Sequence, residues 1–73
     1  MGVRLGRYKH YSGKTYEVMG TARHSETLQE LVLYKALYDS EFGGNALWVR
    51  PMELFLGEVV VDGKKRPRFE FLG

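Results

Sequence analysis

The sequence has 73 residues, no cysteine and a net charge of +2. A chain of this length has room for one hydrophobic core, so we expect residues 1–73 to form a single domain. The absence of cysteine excludes disulfides and thiolate zinc sites, and no segment approaches the roughly 20 consecutive apolar residues of a membrane span. Residues 1–5 lack the apolar run of a signal peptide. We therefore expect a cytoplasmic protein with no membrane partner.

Aromatic residues and glycine-punctuated segments indicate a β-rich fold in the first third of the chain. Residues 6–11 and 15–22 have the composition of two strands, and Ser12-Gly13-Lys14 between them is typical of a hairpin turn. A period of two then separates the faces of the second strand. The face that we expect to point inward carries Tyr16, Val18, Gly20 and Ala22.

Residues 28–38 fit either a helix or a strand. Thr27 and Glu30 have the spacing of a helix capping box. Alternation over residues 31–38 instead indicates a strand, with Val32, Tyr34, Ala36 and Tyr38 on one face. We favour the strand because the residues are typical of sheets and both neighbouring segments resemble hairpins.

The second half of the chain predicts further short strands. Residues 46–50 form one that ends at Pro51, and residues 52–56 form a single helical turn that packs Phe55 inward. Residues 58–61 and 67–72 then flank a tight turn at Asp62-Gly63. Five or six strands with one helical turn predict an all-β fold, a small SH3-like barrel or β-roll.

Spaced aromatic, histidine and Arg-Pro positions run through nearly the whole chain. They comprise Gly6-x-Tyr8-x-His10-Tyr11, Tyr16-x-Val18, Ala22-x-His24-Ser25-Glu26-Thr27, Val32-x-Tyr34-x-x-Leu37-Tyr38, Trp48-x-Arg50-Pro51, Phe55, Gly63 and Pro67-Arg68-Phe69. This combination resembles the bacterial domain-of-unknown-function 1653 family. The resemblance implies a small SH3-like β-barrel or roll in a bacterial cytoplasm, and it implies no activity. Leu54 and Gly57 depart from the pattern, since the family often has methionine and glutamate there.

The most polar short segment is His24-Ser25-Glu26-Thr27, which carries an imidazole, two hydroxyls and a carboxylate. It fits a loop that binds a ligand through His24 and Glu26, and it also fits a loop whose side chains satisfy their own backbone. A metal shared by His10, His24 and Glu26 would need further ligands, and Ser25 lacks the context of an activated nucleophile. We therefore predict no cofactor and favour a protein that is not an enzyme, with a small enzyme centred on His24 and Glu26 as a lesser hypothesis.

Trp48, Arg50 and Pro51 are candidates to line a groove. The indole offers a stacking surface and the guanidinium a bidentate clamp for an anion. The alternative places Trp48 mainly in the core and pairs Arg50 with Glu53 or Glu26.

Basic residues are concentrated near the carboxyl end, at Lys64, Lys65, Arg66 and Arg68. They indicate a nucleic-acid surface, although the balanced charge of the whole chain argues against it.

We predict instead that the protein is a non-catalytic binding module. Its binding edge combines the 24–27 loop with the end of the strand at residues 48–51, and its partner is a protein, a peptide or a small anionic ligand.

Overall fold

The computed structural model describes residues 3–73; Met1 and Gly2, part of the stretch tested above for a signal peptide, lie outside the described residues. The described chain consists of short strands and one helical turn. In chain order these are β1 (Gly6–His10), β2 (Thr15–Arg23), β3 (Glu30–Ala36), β4 (Asp39–Ser40), β5 (Gly43–Gly44), β6 (Leu47–Pro51), α1 (Met52–Phe55), β7 (Glu58–Val61), β8 (Lys64–Pro67) and β9 (Phe69–Phe71). The all-β class and the single helical turn are confirmed.

Five of the strands form one antiparallel sheet in the order β6-β3-β2-β1-β9. The hairpins β4–β5 and β7–β8 are separate two-stranded sheets. Strands β6 and β9 lie at opposite edges and do not pair with each other, so the main sheet stays open and does not close into a barrel. An open sheet leaves part of its inner face accessible.

Several predicted elements have the expected structure. The ambiguous segment contains the strand β3, and α1 buries Phe55 to 1% exposure. Asp62 and Gly63 have φ values of 53° and 77°, as a two-residue hairpin turn with both central residues at positive φ requires. Within residues 3–73, no helix has the length and apolar character needed to cross a membrane.

The predicted inner face of β2 is correct only for its first half. Val18 is buried, but the register with β3 shifts between Val18 and Gly20, and Thr21 then lies opposite the buried Val32. An extra residue in one strand reverses the alternation beyond it. The prediction that Gly20 and Ala22 share the inner face is therefore wrong.

The core lies on the inner face of the sheet, under α1. It consists of Tyr8, Val18, Val32, Tyr34, Phe55 and Phe69. Phe55 stacks on Phe69 with 4.1 Å between ring centroids and an interplanar angle of 9°. Its ring also packs against Tyr8 and Tyr34 at centroid distances of 5.3 and 5.5 Å. Beyond this core, His10, Tyr16 and Arg50 on the same face are only half-buried.

Candidate functional site

The 24–27 loop uses its polar atoms to hold its own turn. His24 Nδ1 accepts hydrogen bonds from the backbone N–H groups of Glu26 and Thr27, at 3.1 and 3.3 Å. Thr27 Oγ1 accepts another from the backbone N–H of Gln29 at 3.2 Å. These bonds agree with the structural alternative for the loop. A ligand-binding role for Ser25 and its neighbours stays a prediction, and the small-enzyme hypothesis gains no support from this geometry.

Histidine and carboxylate side chains are not grouped for metal binding. Within residues 3–73 there is no cluster of three or more such side chains that could hold a metal ion. The arrangement therefore does not form the hypothetical site shared by His10, His24 and Glu26.

A groove lies beside the predicted binding edge. It has a volume of about 280 Å³ and is lined by Gln29, Glu30, Met52 and Glu53. Gln29 and Glu30 follow the 24–27 loop, and Met52 and Glu53 follow the end of β6. Two carboxylates line the groove, so it disfavours the small anionic ligand predicted for this edge.

Trp48 lies on the edge strand β6 and is not a core residue. It pairs with Tyr34 of β3, remains 37% exposed and packs edge-on against Phe42 at a centroid distance of 5.4 Å. The alternative that placed it mainly in the core is wrong. An edge strand has a neighbour on one side only, which leaves the indole partly in solvent.

Among residues 3–73, Arg50 has no carboxylate partner. Within residues 3–73 one ion pair forms, between Lys35 Nζ and Glu17 Oε1 at 3.5 Å. Arg50 Nε instead donates a hydrogen bond to the hydroxyl of Tyr34 at 3.3 Å. The predicted pairing of Arg50 with Glu53 or Glu26 is wrong, because the side chain extends over the inner face of the sheet.

Arg68 comes into the same region, although the sequence placed it only in a basic hairpin. Its backbone N–H donates to Gly57 O and its carbonyl accepts from Tyr11 N–H, both at 3.0 Å. The residue therefore links Gly57, which directly precedes β7, to Tyr11, which directly follows β1. Its side-chain Nε is buried and has no hydrogen-bond partner in the described part of the chain, residues 3–73. Lys64, Lys65 and Arg66, by contrast, are exposed on the hairpin.

His10 links the two arginines in space. Burial lowers the pKa of His10 below its ordinary value, and the positive charges of Arg50 and Arg68 lower that pKa further. The imidazole lies 4.9 Å from the ring of Phe69, and the Arg50 guanidinium lies 5.6 Å from the same ring. The Arg50 guanidinium and the His10 imidazole therefore share the part of the inner face around Phe69, and the charge of Arg68 acts on the same imidazole.

The hydrogen bonds of His10 define its tautomer. Its Nδ1 accepts the backbone N–H of Ser12 at 3.2 Å and lies 2.8 Å from the Ser12 hydroxyl. Because a backbone N–H only donates, Nδ1 carries no proton, and the proton of the neutral ring is on Nε2. Neutral His10 therefore offers one N–H donor.

Tyrosines complete the cluster. Tyr16 packs against Tyr34 and Tyr38 at centroid distances of 5.2 and 5.4 Å, and the hydroxyls of Tyr16 and Tyr38 are 2.6 Å apart. Burial and this hydrogen bond raise the pKa of Tyr16, so the phenol stays neutral. Lys14 Nζ lies 4.6 Å from the Tyr38 ring centroid. We use the name arginine–tyrosine cluster for His10, Lys14, Tyr16, Tyr38, Arg50 and Arg68.

Sequence reasoning considered Arg50, Arg68 and His10 and assigned each to a different site: an anion clamp, a basic hairpin and a hypothetical metal site. The others lie on strands or turns that become neighbours only when the sheet forms. A usable signal was present in Tyr16 and Tyr38, which alternation had already assigned to the inner faces of their segments.

The titration of His10 should make the free energy of unfolding depend on pH. Because the pKa of His10 is lowered in the folded state, the unfolded chain takes up the proton first as pH falls. The stability associated with neutral His10 is fully present above pH 6.5, the ordinary pKa of histidine. It is lost as pH falls from there towards the lower pKa that His10 has in the folded state. We expect the urea midpoint to drop over this interval. A His10→Gln variant, which retains His24, should show a smaller drop; equal drops in both proteins would contradict the assignment.

Comparisons with known proteins identify relatives but no activity. The chain matches the family model described as "Protein of unknown function (DUF1653)" over residues 6–71. It is also similar to the crystal structure of a DUF1653 protein from Bordetella bronchiseptica, with a TM-score of 0.88 and 32% sequence identity, covering 97% of this chain and 88% of that chain. A comparison with curated proteins found no match. The family match extends from β1 to β9, so it includes the whole sheet that holds the cluster.

Proposed function

This chain belongs to the DUF1653 family, whose description assigns no activity, and from the site itself we propose that it is a non-catalytic binding module for small anions. The ligand binds at the arginine–tyrosine cluster. One observation carries the proposal: Arg50 and Arg68 are half-buried near one imidazole, and within residues 3–73 neither has a carboxylate within 4.0 Å. Removing an arginine from water favours pairing it with an anion, and the buried Nε of Arg68 is the part of the cluster to which this applies most directly.

The free energy of the unliganded cluster supports the same proposal. A buried polar group without a hydrogen bond costs about 1–3 kcal/mol, and Arg68 Nε is such a group. Arg50 donates one hydrogen bond to Tyr34 and has further N–H groups to offer. An oxyanion accepts bidentate hydrogen bonds from guanidinium groups and reduces their mutual repulsion. Anion binding therefore relieves two unfavourable features of the free protein.

The chemistry of the cluster suits binding better than catalysis. Its charged groups are cations, neutral His10 has its proton on Nε2, and the raised pKa of Tyr16 keeps that phenol protonated. No carboxylate belongs to the cluster to act as a general base. Groups that donate hydrogen bonds and carry positive charge hold an anion without removing a proton from it.

The test is an amide NMR titration of labelled protein with inorganic phosphate. We expect saturable shifts at His10, Arg50 and Arg68. Arg50→Gln and Arg68→Gln should each weaken binding about tenfold or more, because a hydrogen bond to a charged group contributes about 1.5–3 kcal/mol.

Arg66→Gln is the matched control, since it removes the same charge from an exposed position on the neighbouring hairpin. It should leave phosphate binding nearly unchanged, and the spectrum of each variant reports whether it has folded. Shifts that do not saturate, or an equal loss in the Arg66 variant, would show that phosphate responds only to net charge and would refute the proposal.

Nucleic-acid binding through the hairpin is a second candidate function. All four residues of β8 are exposed, and three of them are basic: Lys64, Lys65 and Arg66. Binding of this kind depends on phosphate contacts and weakens steeply with salt. Replacing all three with glutamine should abolish such binding to single-stranded DNA or RNA, whereas Arg50→Gln should leave it intact.

A further inference from the structure

An exposed aromatic ring borders the arginine–tyrosine cluster. The ring of Tyr11 lies against the imidazole of His10, with 4.5 Å between centroids and an interplanar angle of 35°. The backbone N–H of Tyr11 donates to the carbonyl of Arg68 at 3.0 Å. Tyr11 is therefore next to one arginine through the backbone and next to the central imidazole through its side chain.

Core packing does not account for this ring. Tyr11 is 46% exposed, and it is absent from the buried cluster and from the residues packed against it. Within residues 3–73 its hydroxyl makes no hydrogen bond to another residue, and its ring is in contact with His10 alone among the aromatic rings. One side of the ring is occupied and the rest is open to solvent. An open aromatic ring beside a cationic site is a surface on which a second planar group can stack.

The charge of the cluster favours a phosphate over a carboxylate. Arg50, Arg68 and Lys14 supply three positive charges, and none of them has a carboxylate partner within residues 3–73. A phosphate monoester carries about −1.5 to −2 charges at neutral pH and has three terminal acceptor oxygens. A single carboxylate would leave more of the positive charge uncompensated.

We infer that the anion bound by the arginine–tyrosine cluster is a phosphate monoester that carries an aromatic ring, with the ring stacked on Tyr11. This inference rests on the function proposed above and adds the chemical class of the ligand. Two sources share this chemistry: a nucleoside monophosphate and a phosphotyrosine. The phosphate meets Arg50 and Arg68 in both cases, and the planar group covers the exposed part of the Tyr11 ring.

The experiment compares four probes by NMR titration: inorganic phosphate, ribose 5-phosphate, adenosine monophosphate and phosphotyrosine. We expect at least one of the ring-bearing esters to bind about tenfold more tightly than ribose 5-phosphate, because stacking on an aromatic side chain contributes about 1–3 kcal/mol. Preference for adenosine monophosphate would identify a nucleotide as the source, and preference for phosphotyrosine would identify a phosphopeptide.

Variants separate the stacking from the anion site. Tyr11→Ala should reduce the affinity for the ring-bearing ester to that for ribose 5-phosphate while leaving inorganic phosphate unaffected. Tyr11→Phe should retain the tighter binding, because it keeps the ring. Phe42→Ala is the control, since it removes another exposed ring, 65% exposed, next to Trp48.

The outcomes distinguish the two proposals. If phosphate binds at Arg50 and Arg68 but ring-bearing esters bind no more tightly, or Tyr11→Ala has no effect, the inference is overturned and the anion-binding function stands. If none of the four probes gives saturable shifts at the two arginines, both are refuted.

Discussion

Replacing Phe55 with alanine is expected to bring the free energy of unfolding close to zero, so that about half of the protein is unfolded at room temperature. The Phe55 ring is 1% exposed, stacks on Phe69 at 4.1 Å and packs against Tyr8 and Tyr34. Truncating a buried phenylalanine costs about 3–5 kcal/mol in lost burial and cavity formation. A core in a chain this short supplies about 3–5 kcal/mol in total, so the change removes most of the free energy of unfolding.

Urea denaturation followed by circular dichroism measures this effect. Leu54→Ala is the matched control, because Leu54 lies in the same helical turn and is 51% exposed. It should change the free energy of unfolding by no more than about 0.5 kcal/mol, as exposed substitutions usually do. A Phe55→Ala protein with a wild-type urea midpoint would show that α1 does not hold the core together.

Gly6→Ala is expected to produce the second-largest loss of stability. Gly6 begins β1 with φ at +134°, a conformation that side chains rarely adopt. A Cβ there would lie 3.1 Å from Phe71 Cε1 and 3.3 Å from the carbonyl oxygen of Gly73. Backbone strain of this kind costs about 1–3 kcal/mol, and the contact with Phe71 disturbs the pairing of β1 with β9. The melting temperature should fall by roughly 4–8 °C for each kcal/mol.

Gly13→Ala separates the two causes. Gly13 also has a positive φ, +103°, but a Cβ there would have no atom within 4 Å. It tests backbone strain without the clash at Phe71. Thermal unfolding should rank Gly6→Ala below Gly13→Ala in stability; equal melting temperatures would mean that β9 accommodates the added methyl group freely.

The elements that depend on neighbouring residues could be predicted from the sequence, and those that depend on register could not. The Asp62-Gly63 turn and the inward Phe55 follow from local geometry and apolar pattern. The bulge after Val18 could not be predicted, because no local signal marks an extra residue in a strand. That bulge decides which face Thr21 occupies, although alternation had assigned it to the other face.

The candidate site depends still more on the tertiary structure. The sequence identified Arg50 as an anion clamp because of its residue type, and it identified Arg68 as part of a basic run. Only the sheet brings them together. Arg50 lies on β6, which pairs with β3, and Arg68 directly precedes β9, which pairs with β1. The loop at His24 was more prominent in the sequence, but a concentration of polar residues does not distinguish ligand binding from hydrogen bonding within a turn.

For this protein the sequence by itself determined the all-β class, the helical turn and the family. Alternation, turn residues and motif spacing are properties of the chain, and they are present before any strand has paired. The tertiary structure alone decided that the sheet stays open, that Trp48 lies at an edge and that Arg50 and Arg68 approach one imidazole. These features depend on strand order and register, which are selected by the packing of residues far apart in the chain.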